Sequence, residues 1–169
     1  EQGKEDYVWQ TCYGPAISRI LASVISAHGD NEGLIIPYCI SPVQLIIIPI
    51  YTKDNKEKIL EEADKIKEKL EKDGIRIEID ISEKHPGEKF FYWEVRGVPF
   101  RLEFGEKEMK EKKLTLFTRD TKTKGKIFVK DLSRINQLGE EFDDRIKNKA
   151  DKFMQGKIID CTTKEQIKN

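Results

Sequence analysis

"LIIIPIYTKDNKEKILEEADKIKEKLEKDGIRIEIDI" (residues 45–81) changes its hydrophobic period twice. The opening "LIIIPIY" is a continuous apolar run, which predicts a strand buried on both faces. In "DNKEKILEEADKIKEKLEKDG", Ile59, Ala63, Ile66 and Leu70 recur at helical spacing, so one face of a helix is apolar and the rest is charged. Asp54 and Glu57 have the spacing of a capping box at its start, and Gly74 stops it. "IRIEIDI" then alternates with period two, which predicts a second strand. A strand, a crossover helix and a strand make a parallel pair, and that unit decides the fold class.

The pattern continues toward the C-terminus. Residues 86–96 predict a short helix after Pro86-Gly87, and "VPFRLEFG" predicts the next strand. "KLTLFTR" and "KIFVKDL" predict a hairpin around "DTKTKG". Leu132, Ile135, Leu138, Phe142 and Ile146 mark a last long helix. The order from residue 45 is β-α-β-α-β-β-β-α. This is an α/β architecture: a mixed, mostly parallel five-stranded sheet flanked by helices, with an antiparallel edge. Toward the N-terminus, "YVWQTCY" (7–13) predicts a strand. "GPAISRILASVISAHG" predicts a helix with Pro15 in its first turn and Gly29 at its end. Residues 30–44 read as a connector. The expected division is residues 1–44, then a domain over 45–156, then a polar tail over 157–169 that is expected to fray.

Composition excludes several function classes. Thirty-one Lys and Arg balance thirty-one Asp and Glu, so bulk attraction does not explain nucleic-acid binding, and any such site comes from local arrangement. Cys12, Cys39 and Cys161 are odd in number and lack CxxC spacing, which argues against a disulfide framework and a zinc site and for a reducing, cytoplasmic setting. His28 and His85 have no ligand-spaced neighbours, so no metal site is expected. Residues 34–50 are apolar but are broken by prolines and by two polar residues, Ser41 and Gln44, which excludes a membrane span, and no signal peptide is visible. The Lys/Glu run at 56–73 reads as a solvated helix face. The basic segment 107–126 reads as a solvated hairpin or as a neighbour of a phosphate backbone. No Ser-His-Asp set, P-loop or GxGxxG is present.

"GEKFFYWEVRGVPFRLEFG" (87–105) does not sort its charges onto one side. Glu94 falls on the short helix, Arg101 on the following strand, and Lys107 just past that strand's end, where ligands of α/β sheets sit. A carboxylate accepts from guanine's Watson–Crick edge, while Arg and Lys donate to O6 and N7. Tyr92 and Trp93 offer stacking surfaces for splayed bases. The competing reading is a salt-bridge cluster over a hydrophobic anchor.

The same stretch resembles the anticodon-binding domain of prolyl-tRNA synthetases of the archaeal type. Their pattern PG-x-KF-x-x-WE-x-(K/R)-GVP-x-R-x-E-x-G stands here as Pro86, Gly87, Lys89, Phe90, Trp93, Glu94, Arg96, Gly97, Val98, Pro99, Arg101, Glu103 and Gly105. "YVWQTCYGPAISRILASVISAHGDNEGLIIP" resembles motif 3 of the second synthetase class and the HGD-x-x-GL-x-x-P junction that follows it. Gly14, Arg19, His28, Gly29, Asp30, Gly33, Leu34 and Pro37 stand at the matching positions. The resemblance covers about residues 7–156.

The resemblance implies that Glu94, Arg101 and Lys107 contact the guanines of the proline anticodon. It implies that Arg19 contacts ATP, with Gln10 and Thr11 as further ATP or adenylate contacts. It places Cys12, Gly14 and His28 as contacts for proline. ATP with Mg, proline, tRNA(Pro) and a homodimeric, cytoplasmic whole enzyme follow by the same inference. Glu106 stands where relatives often carry Pro. The first two catalytic motifs of the class and a cysteine-rich zinc module are not among these residues. The piece is therefore expected to recognise tRNA without catalysing ligation alone. The alternatives are the related domain of a threonyl, glycyl or histidyl enzyme, or a stand-alone, non-catalytic RNA-binding or regulatory module.

Overall fold

The computed structural model describes residue 3, residues 7–12, residue 14 and residues 16–161. Helix α1 spans Ile17–His28; strand β1, Leu45–Ile50; helix α2, Lys56–Lys72; strand β2, Ile77–Ile79; helix α3, Pro86–Val95; strand β3, Phe100–Gly105; helix α4, Glu106–Glu111; strand β4, Lys113–Thr118; strand β5, Thr123–Phe128. A 3-10 turn over Val129–Arg134 leads into helix α5, Ile135–Gln155. The sheet order is β2-β1-β3-β4-β5. β1 pairs in parallel with β2 and β3, while β4 runs antiparallel to both β3 and β5. The mixed sheet with an antiparallel edge is the one the periodicity implies.

Helices cover the two faces unequally, and this creates the site. On one face, Leu45, Ile47, Phe100, Leu102, Leu114 and Leu116 pack against Ile59, Ala63, Ile66 and Leu70 of α2 and against Phe142 and Ile146 of α5. On the other face, Ile46, Ile48 and Val98 pack against Phe90 and Trp93 of α3. Helix α3 covers the second face over β1 and reaches the near side of β3 through Phe90 and Glu94. The rest of that face, toward β4 and β5, carries polar residues.

Pro49 interrupts a central strand, where a missing N–H normally breaks the ladder. Here it does not. Ile47 accepts from Asp80 N at 2.9 Å, so its side of β1 faces β2, and so does that of Pro49 two residues on. The register of β2 ends at Ile79 opposite Ile47, so no partner awaits the nitrogen of Pro49. The strand predicted over 75–81 is therefore cut short. Asp80 turns the chain by accepting from Ser82 N and Oγ.

Two family-like motifs meet at one backbone crossing. Leu34 N donates to Val95 O at 3.0 Å and Ile36 N to Gly97 O at 3.2 Å. Gly33 has φ +142° and Gly97 has φ +73°. A Cβ on Gly33 would stand 2.5 Å from the Val95 backbone, and one on Gly97 2.6 Å from that of Leu34. Both glycines are required by close approach as well as by backbone conformation. Beyond the crossing, Tyr38 lies on Gly139 of α5, where a Cβ would overlap the ring. Its hydroxyl donates to Asn136 Oδ1 at 2.7 Å.

Several expectations change. Residues 7–12 lie outside every strand formed by the described residues. Tyr13 and Pro15 lie outside the described residues, as does most of the tail. The Asp54–Glu57 capping box does not form. Asn55 is the cap residue, and its Oδ1 accepts from Thr52 N at 2.7 Å, closing the turn before the helix instead. The second hairpin arm is Thr123–Phe128, so "VKDL" belongs to the 3-10 turn. Six residues that carried no strong periodicity form α4.

Candidate nucleic-acid interface

The half-face over β3–β5 follows from strand alternation. Arg101 and Glu103 point the same way as Ile46 and Ile48, their register partners on β1. Their partners on β4 are Phe117 and Thr115, which pair in turn with Lys124 and Lys126 on β5. One surface therefore collects Arg101, Glu103, Thr115, Phe117, Lys124 and Lys126.

Arg101 is the centre of this surface. It is 4% exposed, and a charge so buried requires partners on every side. Its Nη1 donates to Glu94 Oε1, and its Nη2 and Nε donate to Glu103 Oε1 at 3.0 and 3.3 Å. The guanidinium lies between the rings of Phe90 and Phe117, 4.1 and 4.2 Å from their centroids. This is cation–π packing on both faces of a planar cation, an arrangement open to Arg and not to Lys. Lys124 extends the chain of charges, with Nζ 2.7 Å from Glu103 Oε1. One row further, Lys126 donates to Thr115 Oγ1 at 2.7 Å and pairs with Glu108 of α4 at 3.3 Å.

The structure thus brings Glu94 and Arg101 together, and the competing salt-bridge reading describes their present contacts. Lys107 stands apart. It is exposed on α4, beyond Gly105, and Arg101 and Gly105 are separated by about 13 Å of strand. Stacking on Trp93 is also revised. Its Nε1 donates to Asp80 Oδ2 at 2.8 Å and its ring packs under α3, so it is part of the anchor. Tyr92 is partly exposed, with the Arg96 guanidinium 3.4 Å above its ring.

The motif residues divide accordingly. Lys89, 3% exposed, donates to Asp80 O at 2.9 Å. Burial pushes the Asp80 carboxyl upward, but hydrogen bonds from Ser82 and Trp93 outweigh it and hold the group below its ordinary value. Lys89, Trp93 and Asp80 fasten α3 to the end of β2, while Glu94 beside them keeps part of its carboxylate in solvent above the buried Arg101. Sequence reasoning missed Asp80, Phe117 and Lys124. Phe117 and Lys124 could be reached only through the β3–β4–β5 register, which no local pattern states.

A second ionic cluster braces the surface from behind. Arg119, 1% exposed, donates to both oxygens of Asp30, at 3.0 and 2.6 Å, and through Nε to Glu94 O at 3.1 Å. The Arg119 hydrogen bonds hold the Asp30 carboxyl far below its usual range. Lys122 joins Asp30 and Glu32 at 3.2 and 2.8 Å. The connector is thereby tied to the helix that carries Glu94.

The residues expected to meet ATP and proline lie elsewhere. Gln10, Thr11, Cys12 and Gly14 are exposed on the irregular N-terminal segment, and Arg19 is exposed on α1. His28 ends α1, where burial first and nearby Lys149 second push its pKa below the ordinary value. Among the described residues, no group of three or more His, Cys, Asp or Glu could hold a metal ion, so no step through Mg is derived for them. No described helix is long and apolar enough to cross a membrane.

Comparison with known proteins agrees with this geometry. Residues 44–137 match the family described as "Anticodon binding domain". The chain is 40% identical to a proline–tRNA ligase of Thermofilum pendens over 170 aligned residues, covering 99% of this chain and 35% of the relative. It is 38% identical to the proline–tRNA ligases of Methanocaldococcus jannaschii and Pyrococcus abyssi, again over 99% of this chain and over 37% and 35% of the relatives. The chain thus spans about a third of the length of these relatives. The matched residues include the whole sheet and α3, which carries Glu94. The chain belongs to the anticodon-binding domain family and is homologous to the C-terminal part of proline–tRNA ligases.

Proposed function

We propose that this chain is the tRNA-reading part of a proline–tRNA ligase and that the polar part of its second sheet face recognises the guanines of the proline anticodon. The observation that carries the reading is the Glu94–Arg101–Glu103–Lys124 row, with the Arg101 guanidinium between two phenylalanine rings, at the margin of α3 where Glu94 and Lys124 reach solvent. Glu94 keeps part of its carboxylate in solvent and is the acceptor for guanine N1 and N2 donors. Arg101 presents Glu94 in a fixed orientation and, when a base enters, can exchange a carboxylate contact for O6 or N7. Lys124 and, from the far end of β3, Lys107 are the remaining cationic donors. A base edge replaces partner atoms already arranged, so little side-chain freedom is lost on binding.

In the whole ligase the N-terminal segment belongs to the catalytic part, with residues 45–156 as the tRNA-binding domain. Arg19, Gln10 and Thr11 would then face ATP, and Cys12, Gly14 and His28 would face proline. ATP supplies the activation of the amino acid as an adenylate. Here Gln10, Thr11, Cys12 and Arg19 are exposed and His28 is half-buried at the end of α1, so these residues do not converge on one site, and the 169-residue chain by itself should not form prolyl-adenylate. The homodimer and the cytoplasmic setting belong to the same proposal.

The test is binding of the chain to a proline tRNA transcript and to transcripts with each anticodon guanine replaced, at one fixed salt concentration. Replacement of a guanine that is read should weaken binding by about 1–3 kcal/mol. Equal binding to every transcript would mean phosphate contact without base reading and would remove this proposal.

A further inference from the structure

The row of charges at Arg101 does not end at the β5 edge. Lys124, Lys126 and Phe128 alternate along β5 and point to the same side of the sheet, with Phe117, Thr115 and Lys113 as their β4 partners. Successive members are about 7 Å apart, so the series leads some 13–14 Å away from the Glu94–Arg101 pair. It ends at an exposed aromatic ring surrounded by cations. Phe128 is 45% exposed, in a β5 that is exposed everywhere except Ile127. Lys113 Nζ lies 5.2 Å from its ring centroid and Lys130 Nζ 5.6 Å. Lys69 and Lys112 complete the walls of a shallow depression of about 390 Å³ that includes Phe128, Val129 and Lys130.

Two features of these lysines combine: they lack a carboxylate partner among the described residues, as Lys84 and Lys107 also do, and they gather in one place. Lys65, Lys110, Lys122, Lys124 and Lys126 each pair with a carboxylate. Lys112, Lys113 and Lys130 take part in none of the ion pairs formed by the described residues. They also cluster around a phenylalanine at the edge of a sheet, where a hydrophobic side chain left in water has no folding role. In a chain with no net charge, uncompensated cations gathered around an exposed ring mark a local anionic partner with flat groups.

We infer that Lys113, Lys130 and Lys112, with Phe128, form a second RNA-binding patch. In it the lysines hold backbone phosphates of the nucleotides flanking the bases read at Arg101, and Phe128 stacks against one nucleotide. The inference rests on the proposed tRNA-reading role and extends its footprint along β5. Phosphate binding adds affinity and register without reading sequence, which is the division of labour expected beside a base-reading row. The lysine ammonium groups now over the Phe128 ring would move to phosphate oxygens, freeing the ring face for a base.

The test compares the wild-type chain, Lys113→Ala/Lys130→Ala and Phe128→Ala on the proline tRNA transcript, by fluorescence anisotropy across a salt series. The double lysine variant should flatten the slope of log K against log salt by about 1.4, or about 0.7 for each single-strand phosphate that is no longer neutralised, while leaving the preference for anticodon guanines unchanged. Phe128→Ala should weaken binding about tenfold with an unchanged slope. An unchanged slope in the double lysine variant, with the thermal midpoint of unfolding also unchanged, overturns the inference. Lys113→Gln/Lys130→Gln repeats the measurement with side-chain length kept. Loss of guanine preference in the wild type removes the base-reading proposal alone, because the slope still reports the phosphates bound.

Discussion

At the residue scale, one side chain acts in both the fold and the site. Arg101 neutralises Glu94 and Glu103, and its ring sandwich makes it part of the packing. Arg101→Ala should cost about 3 kcal/mol of stability, since it leaves two partly buried carboxylates without their cation, and denaturant unfolding would show it. It would therefore confuse folding with recognition. Glu94→Gln is the cleaner probe: it keeps shape and one acceptor for Arg101, should lower the thermal midpoint less than Arg101→Ala does, and should reduce guanine preference in the transcript assay. Asp30 makes a second residue-scale prediction. Its folded pKa is depressed by Arg119, so its contribution is fully present above the unfolded value of about 4 and is lost as pH falls below it. Acid unfolding followed by circular dichroism should be less steep below pH about 4 in Asp30→Asn than in the wild type, from a lower starting stability.

At the scale of elements, the helices were written in the sequence and their attachments were not. The α2 stripe of Ile59, Ala63, Ile66 and Leu70 is buried as its spacing requires, and Gly74, at φ +79°, ends the helix in the left-handed conformation. The capping box failed because its residue types carry no information about the preceding turn, which Asn55 closes. Glycines within regular elements tell the same story. Gly139 lies inside α5, where propensity alone disfavours it, and only the Tyr38 ring from the connector accounts for it. Gly139→Ala should therefore destabilise the protein by about 1–3 kcal/mol even though alanine is the better helix former. A raised thermal midpoint in that variant would show that Tyr38 moves aside freely.

At the scale of the whole molecule, the N-terminal segment and the connector differ in kind. Helix α1 buries none of its residues, and Ile17, Ile20 and Leu21 stand exposed along it. Residues 30–44 are bonded into the sheet domain through Asp30, Leu34, Ile36, Tyr38 and Gln44. Removal of residues 1–28 should leave the thermal midpoint within a few degrees, whereas removal of residues 1–40 should lower it sharply, because Arg119 then loses its partner and Gly139 its ring. The exposed apolar face of α1 also explains why α1 was legible as amphipathic, while residues 7–12, equally apolar, lie outside every strand formed by the described residues. By itself the sequence determined the α/β order, the helix stripes and the existence of the hairpin, because periods of 3.6 and 2.0 and turn residues act over a few neighbours, while the Glu94, Arg101 and Lys107 candidates came from the resemblance of the 86–105 motif. Tertiary structure alone decided how α3 lies over the second face and that Phe117 and Lys124 join Arg101. Those relations depend on strand register and on which face each helix occupies, and both are settled by contacts between residues far apart in the chain.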